Sequence, residues 1–363
     1  MNDAVLKELL FKHYWAQGYF AQTEVDIHFQ EGVDGTNKFI TDVDVYALRP
    51  HPDLCYERIL GDCRTLKAMS PVNRVLWVRG LMDFIGAKTG CVLLSSNTRI
   101  ERDHKLAANQ LGVTLLNQNE FKVYDRSIVY PDGSEKVVVS TKDLAILKSL
   151  PSRFPKLERV TSYLYRDAWR EDGPHKLIRH TLAALRSTYG EFDPAKPEHV
   201  ALFCDSAAIF GIGLAECAGR IFQQYLQPDD KGTLSESLRV LVWGGRETYN
   251  YYQKYHKKLL QIRAGVEVDE QDSLELPEWN GFVQLIRNIL EYPAAAFTVP
   301  LLLRRMASDI LNKAAILEDA TSKDLVALKL AMLTLSYLVK ASSIPRLLTD
   351  LHRERSDSKP FWA

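Results

Sequence analysis

The sequence predicts a mixed α/β domain followed by a mainly α-helical one, and three patterns carry the prediction. Over the first 125 residues, short strand-like runs alternate with amphipathic helical stripes. From about Lys176 onward nearly every segment has helical periodicity. Between them, Pro151 and Pro155 punctuate the chain where the texture changes. The expected organisation is an α/β domain over 1–150, a connection over 151–174 and an all-helical domain over 175–363.

Each element has its own warrant. Residues 5–16 read as a helix with the stripe Leu6, Leu9, Leu10 and Tyr14, stopped by Gly18. Val25, Ile27 and Phe29 alternate with Glu24, Asp26 and His28, a half-buried strand. A polar turn through Gly32 and Gly35 leads to a second strand, 39–48, and a loop with Pro50 and Pro52 to a third, 58–64. Ser70-Pro71 opens a helix to about Ala87, with proline at its first position. Cys91–Leu94 is a continuous apolar run of buried-strand type. A helix over 100–111 stops at Gly112, and 113–116 forms another buried strand. The order α-β-β-β-α-β-α-β implies a mixed sheet with helices on both faces. Residues 128–140 read as a small hairpin, and helices follow near 176–189, 198–226, 234–264, 278–291, 297–318 and 323–340.

The chain of 363 residues is long enough for two domains of ordinary size, and 46% hydrophobic with 25% charged residues fits a soluble globular protein. Forty-six basic residues balance forty-six acidic ones, so any nucleic-acid contact must come from a local patch. The five cysteines form no Cys-x-x-Cys pair and read as reduced, mostly buried thiols in a cytoplasmic protein. The N-terminus lacks a basic segment ahead of an apolar core, so no signal peptide is expected. The run Pro293–Leu303 is about half of what a bilayer needs, so no membrane association is expected either.

The chemistry-bearing pattern is Thr41-Asp42-Val43-Asp44-Val45, followed by Gly61-Asp62-Cys63-Arg64-Thr65. Side chains two apart on a strand share a face, so Asp42 and Asp44 point together, as do Asp62 and Arg64. If the two strands pair as a hairpin, their acidic faces coincide. Carboxylates so close repel unless a cation neutralises them. Hard carboxylate oxygens suit Mg²⁺ or Mn²⁺, which also bind phosphate oxygens.

These segments resemble the PD-(D/E)xK nuclease superfamily, and within it Mrr-type restriction endonucleases, over roughly residues 1–120. The resemblance also rests on the leading helix with Glu8 and on Gly90–Ser95 with Ala107–Leu116. It implies a restriction-endonuclease-like domain that hydrolyses DNA in a defence setting, with a helical domain that positions DNA, binds a protein partner or forms a homo-oligomer. By position it implies Asp44 and Asp62 as catalytic and metal-binding acids, Asp42 as the alternative to Asp44, and Glu8 as an auxiliary metal ligand. Arg64 stands where the family has a lysine. A guanidinium, with a pKa above about 12, cannot act as a base but can hold a phosphate. Lys67 could substitute if the strand ends near Thr65. Without that, the same fold would serve as a nucleic-acid- or protein-binding module.

Other features have plainer readings. Cys63 reads as a core residue, and His13 and His28 as structural. The stretch Tyr249–Lys258 interleaves aromatics with cations, which suits phosphate contact and base stacking but also describes an amphipathic helix. The run 201–221 reads as a buried central helix.

Overall fold

A computed structural model describes residues 3–29, 38–65, 70–128, 139–225, 231–264, 274–317 and 324–344. It divides into two compact units, Met1–Ile146 and Leu147–Ala363.

The first unit has the expected element order. Helix α1 (Asp3–Ala16) precedes strands β1 (Phe20–Phe29), β2 (Lys38–His51) and β3 (Cys55–Arg64). Helix α2 (Pro71–Ile85), strand β4 (Thr89–Leu94), helix α3 (Arg102–Gln110) and strand β5 (Val113–Asn117) follow. The five strands lie in chain order, with β1–β2 and β2–β3 antiparallel and β3–β4 and β4–β5 parallel. This makes β3 a central strand, and Ile59, Leu60 and Cys63 are buried. Pro71 starts α2 as expected, and Gly86 closes it with φ of 68°, a left-handed conformation that glycine takes without strain.

One expectation differs here. Ile128 ends a helix, α4 (Gln118–Ile128), rather than opening a strand, because Phe121 at helical spacing packs inward. The rest of the expected hairpin, 129–138, lies outside the described residues. Helix α5 (Thr141–Lys148) follows.

The second unit is helical. Residues 151–174 are not a linker: short 3₁₀ and π turns flank α6 (Glu158–Ser162), and Leu157, Val160, Tyr163, Leu164, Tyr165 and Ala168 are buried. The sequence hides this because each turn is too short to show a period. Helices α7 (Pro174–Ser187) and α8 (Pro197–Tyr225) come next, then α9 (Lys231–Val242) and α10 (Arg246–Ala264). The single helix expected over 234–264 is broken at Gly244 and Gly245, whose φ values of 84° and 114° no helix accommodates. The remaining helices are α11 (Trp279–Glu291), α12 (Pro293–Ala296), α13 (Val299–Leu311) and α14 (Leu325–Ser342).

Helix α8 is the core of this unit. Pro197–Gln224 and Leu325–Ser342 are long and apolar enough to cross a membrane by length and composition. In α8, however, 94% of the apolar window is buried against the protein's own helices, as in a core helix. Its one deeply buried acid, Asp205, receives Arg304 Nε at 2.6 Å and the Tyr165 hydroxyl at 2.6 Å. That arrangement meets the requirement that a buried charge be paired and hydrogen-bonded.

Candidate functional site

The acidic strands meet as their alternation requires. The β2–β3 register runs to Val45 opposite Gly61, and one step further Asp44 faces Asp62. At that step the backbone N–H of Cys63 donates to Asp44 Oδ2 at 2.8 Å. Both acids are buried, at 1% and 3% exposure.

Helix α1 brings a cation to this pair. Residues 3, 7 and 10 lie on one helical face. The Thr65 hydroxyl donates to Asp3 at 2.5 Å, Lys7 Nζ lies 2.9 Å from Asp44 Oδ1, and Leu10 packs on Gly61. A β-carbon at Gly61 would sit 2.5 Å from Leu10 Cδ2, so glycine there lets α1 lie close enough for Lys7 to reach. The Lys7–Asp44 contact is an ion pair, since Asp44 Oδ1 accepts no aligned hydrogen bond. Burial lowers the Lys7 pKa, but Asp44 and Glu24 more than offset this, and the ammonium is held above its usual value. Glu24 lies 3.3 Å from Lys7 and has φ of 56°, an uncommon conformation inside a strand.

Asp62 has a different cation. Arg74, one turn into α2, donates Nε and Nη2 to the two oxygens of Asp62. Its guanidinium stacks 3.8 Å from the Trp77 ring centroid. Burial pushes the Asp62 carboxyl up, against the pull of Arg74 and Arg64. Arg64 spans the pair, with Nε 3.4 Å from Asp62 and Nη1 4.0 Å from Asp44. Burial acts to lower its pKa, and Asp62, Asp44 and Asp42 raise it further than that. It therefore stays a cation.

The structure thus brings Asp44, Asp62 and Arg64 together and adds Lys7 and Arg74, which the motif reading did not select. Both were in phase with their helices: Lys7 lies within the arc of Leu10, Phe11 and Tyr14, and Arg74 aligns with Val78 and Leu81. Asp42 is half-buried on the same face of β2. Glu8 is not part of the cluster. It sits about 100° around α1 from Lys7 and instead accepts from the Thr141 N–H at 3.2 Å and pairs with Lys12 at 3.1 Å. Lys67 lies outside the described residues. Cys63 is fully buried, with its thiol pushed well up by burial, and is no nucleophile. His13, also buried, lies 2.7 Å from both Asp125 and Gln17.

As arranged, these residues do not fit a divalent cation. Both Asp62 oxygens are taken by Arg74, and the Asp44 oxygens face Lys7 and the Cys63 N–H. Among the described residues, no group of three His, Cys, Asp or Glu side chains is placed to hold a metal. Protein cations provide the neutralisation that two facing acids require.

No family model matches this chain, and no curated protein and no solved structure matches it.

Proposed function

We propose that this chain is a non-hydrolytic nucleic-acid-binding protein, built on a restriction-endonuclease-like scaffold whose metal position has been taken over by protein cations. The observation that carries the reading is Arg74 on both oxygens of Asp62. A PD-(D/E)xK site needs those oxygens for Mg²⁺ or Mn²⁺, and a buried arginine–carboxylate pair is expensive to open.

Lys7 does not rescue hydrolysis. It supplies an amine next to Asp44, but its pKa is raised and it stays an ammonium at neutral pH. DNA as ligand and a defence setting rest on the resemblance alone. Five free cysteines, four of them buried, support a reducing, cytoplasmic setting.

The test is to incubate the protein with plasmid, linear and single-stranded DNA and RNA in Mg²⁺ or Mn²⁺. The expected result is retention of nucleic acid without cleavage. Cleavage that disappears in both Asp44→Ala and Asp62→Ala would overturn the proposal.

A further inference from the structure

The cluster in the first unit leaves one conspicuous feature of the second unexplained. No side chain from residue 246 to 262 is buried, although this part of α10 is rich in tyrosine. Tyr251, Tyr252 and Tyr255 are 68%, 40% and 57% exposed. Monomeric surfaces expose such aromatic groups together where something binds.

Three of the rings touch in sequence, and a fourth stands one turn on. Trp243, just before the glycine break, lies 5.7 Å from Tyr252, and Tyr252 lies 5.6 Å from Tyr251. Tyr255 follows Tyr251 by one turn on the same face. Lys254 and Lys258 flank this row, while Arg246 and Lys257 lie around the helix from it. Between 246 and 258 the chain has four basic residues (Arg246, Lys254, Lys257, Lys258) and one acid, Glu247. Lys254 and Lys258 run one turn apart beside the tyrosines, and among the described residues no carboxylate pairs with them or with Lys257.

At the Trp243 end, the Arg179 guanidinium stacks 4.5 Å from the ring centroid. Its buried Nε has no hydrogen-bond partner, and among the described residues no carboxylate lies within ion-pair distance of it. Glu171 acts on it only from beyond ion-pair distance, and a half-buried guanidinium with no acid in direct contact is costly, which an anion relieves.

We propose that α10, with Trp243 and Arg179, forms a binding platform for single-stranded nucleic acid. Bases stack on Tyr251, Tyr252 and Tyr255, while Lys254, Lys258 and Arg179 take phosphates. The geometry favours a single strand over a duplex. Rings one turn apart are about 6 Å apart along the helix, whereas duplex bases rise about 3.4 Å per residue and hide their faces. It also disfavours a second copy, because two such helices would oppose lysine with lysine. The platform deepens the nucleic-acid-binding reading by naming the ligand class, and its surface lies wholly in the second unit.

The experiment measures fluorescence anisotropy of a labelled mixed-sequence single strand, as DNA and as RNA, with the full chain across a salt series. The same sequence as duplex is the comparison. The α10 residues substituted are exposed, and circular dichroism checks that each variant is folded. The single strand should bind more tightly than the duplex. Tyr251→Ala/Tyr255→Ala should weaken binding by roughly tenfold or more. Lys254→Glu/Lys258→Glu should flatten the salt slope by about 1 or more. Indifference of single-strand binding to both double variants would overturn the platform, as would a preference for duplex. If binding instead falls on Lys7→Ala/Arg64→Ala and not on the α10 variants, the platform fails while a nucleic-acid-binding first unit stands. A mass that doubles with concentration and reverts in Tyr251→Ala/Tyr255→Ala would put a second copy on this face and also overturn the proposal.

Discussion

Arg74 grips both carboxylate oxygens of Asp62 across a separation of twelve residues, which fastens the first turn of α2 to the end of β3. The pair is nearly buried, with side chains 10% and 5% exposed. Removing one partner leaves an uncompensated charge, which costs about 3–5 kcal/mol in such pairs. Arg74→Met should therefore destabilise the first unit strongly. Replacing both, as Arg74→Met with Asp62→Leu, should recover much of the loss. Urea denaturation followed by circular dichroism checks this, and a double variant no better than the single one would show that the pair is not coupled.

Lys7 offers a pH signature. Its pKa is raised in the fold, so its contribution is fully present below the ordinary lysine value and is lost as pH rises through the folded value. As pH rises above the ordinary lysine value of about 10.4 the protein should lose stability. Lys7→Met should be less stable at neutral pH, with the gap to the unaltered protein closing in alkali. Melting temperatures across that range read it directly.

Glu57 gives the opposite sign. Arg49 and Lys88 hold its carboxyl down to about 2. Arg49 is its cross-strand neighbour on β2. With a depressed folded pKa, the contribution is present above the usual carboxylate value and is lost as pH falls through about 2. Glu57→Gln should lower the melting temperature at pH 7 and make little difference near pH 2.

Two glycines separate packing from propensity. At Gly61 an added β-carbon meets Leu10 at 2.5 Å and Val45 Cβ at 3.1 Å. Gly61→Ala should cost about 1–3 kcal/mol and loosen α1. Gly80, exposed inside α2, has nothing within 4 Å of an added β-carbon. Gly80→Ala should stabilise by about 0.5–1 kcal/mol.

Strand periodicity made the acidic face legible, because alternation puts Asp42 with Asp44 and Asp62 with Arg64, while the register with Val45 opposite Gly61 is what sets Asp44 beside Asp62. The helix cations were less visible. The resemblance implies Glu8 on α1, whereas the residue that reaches the acids is its neighbour Lys7, and on a helix one residue is a turn of about 100°. Arg74 carries no local signal, because nothing near it in sequence announces a partner twelve residues back. In the second unit, long apolar stripes such as 201–221 could be read directly. The short turns between 150 and 174 could not, since their burial depends on contacts far away in sequence.

The central claim, that Asp44 and Asp62 are neutralised by protein cations, is tested most directly by titrating Mn²⁺ into the full chain in a calorimeter, beside Asp44→Ala and Asp62→Ala. The account predicts no saturable heat and no difference among the three proteins. A stoichiometric site in the unaltered chain that vanishes in both variants would contradict it.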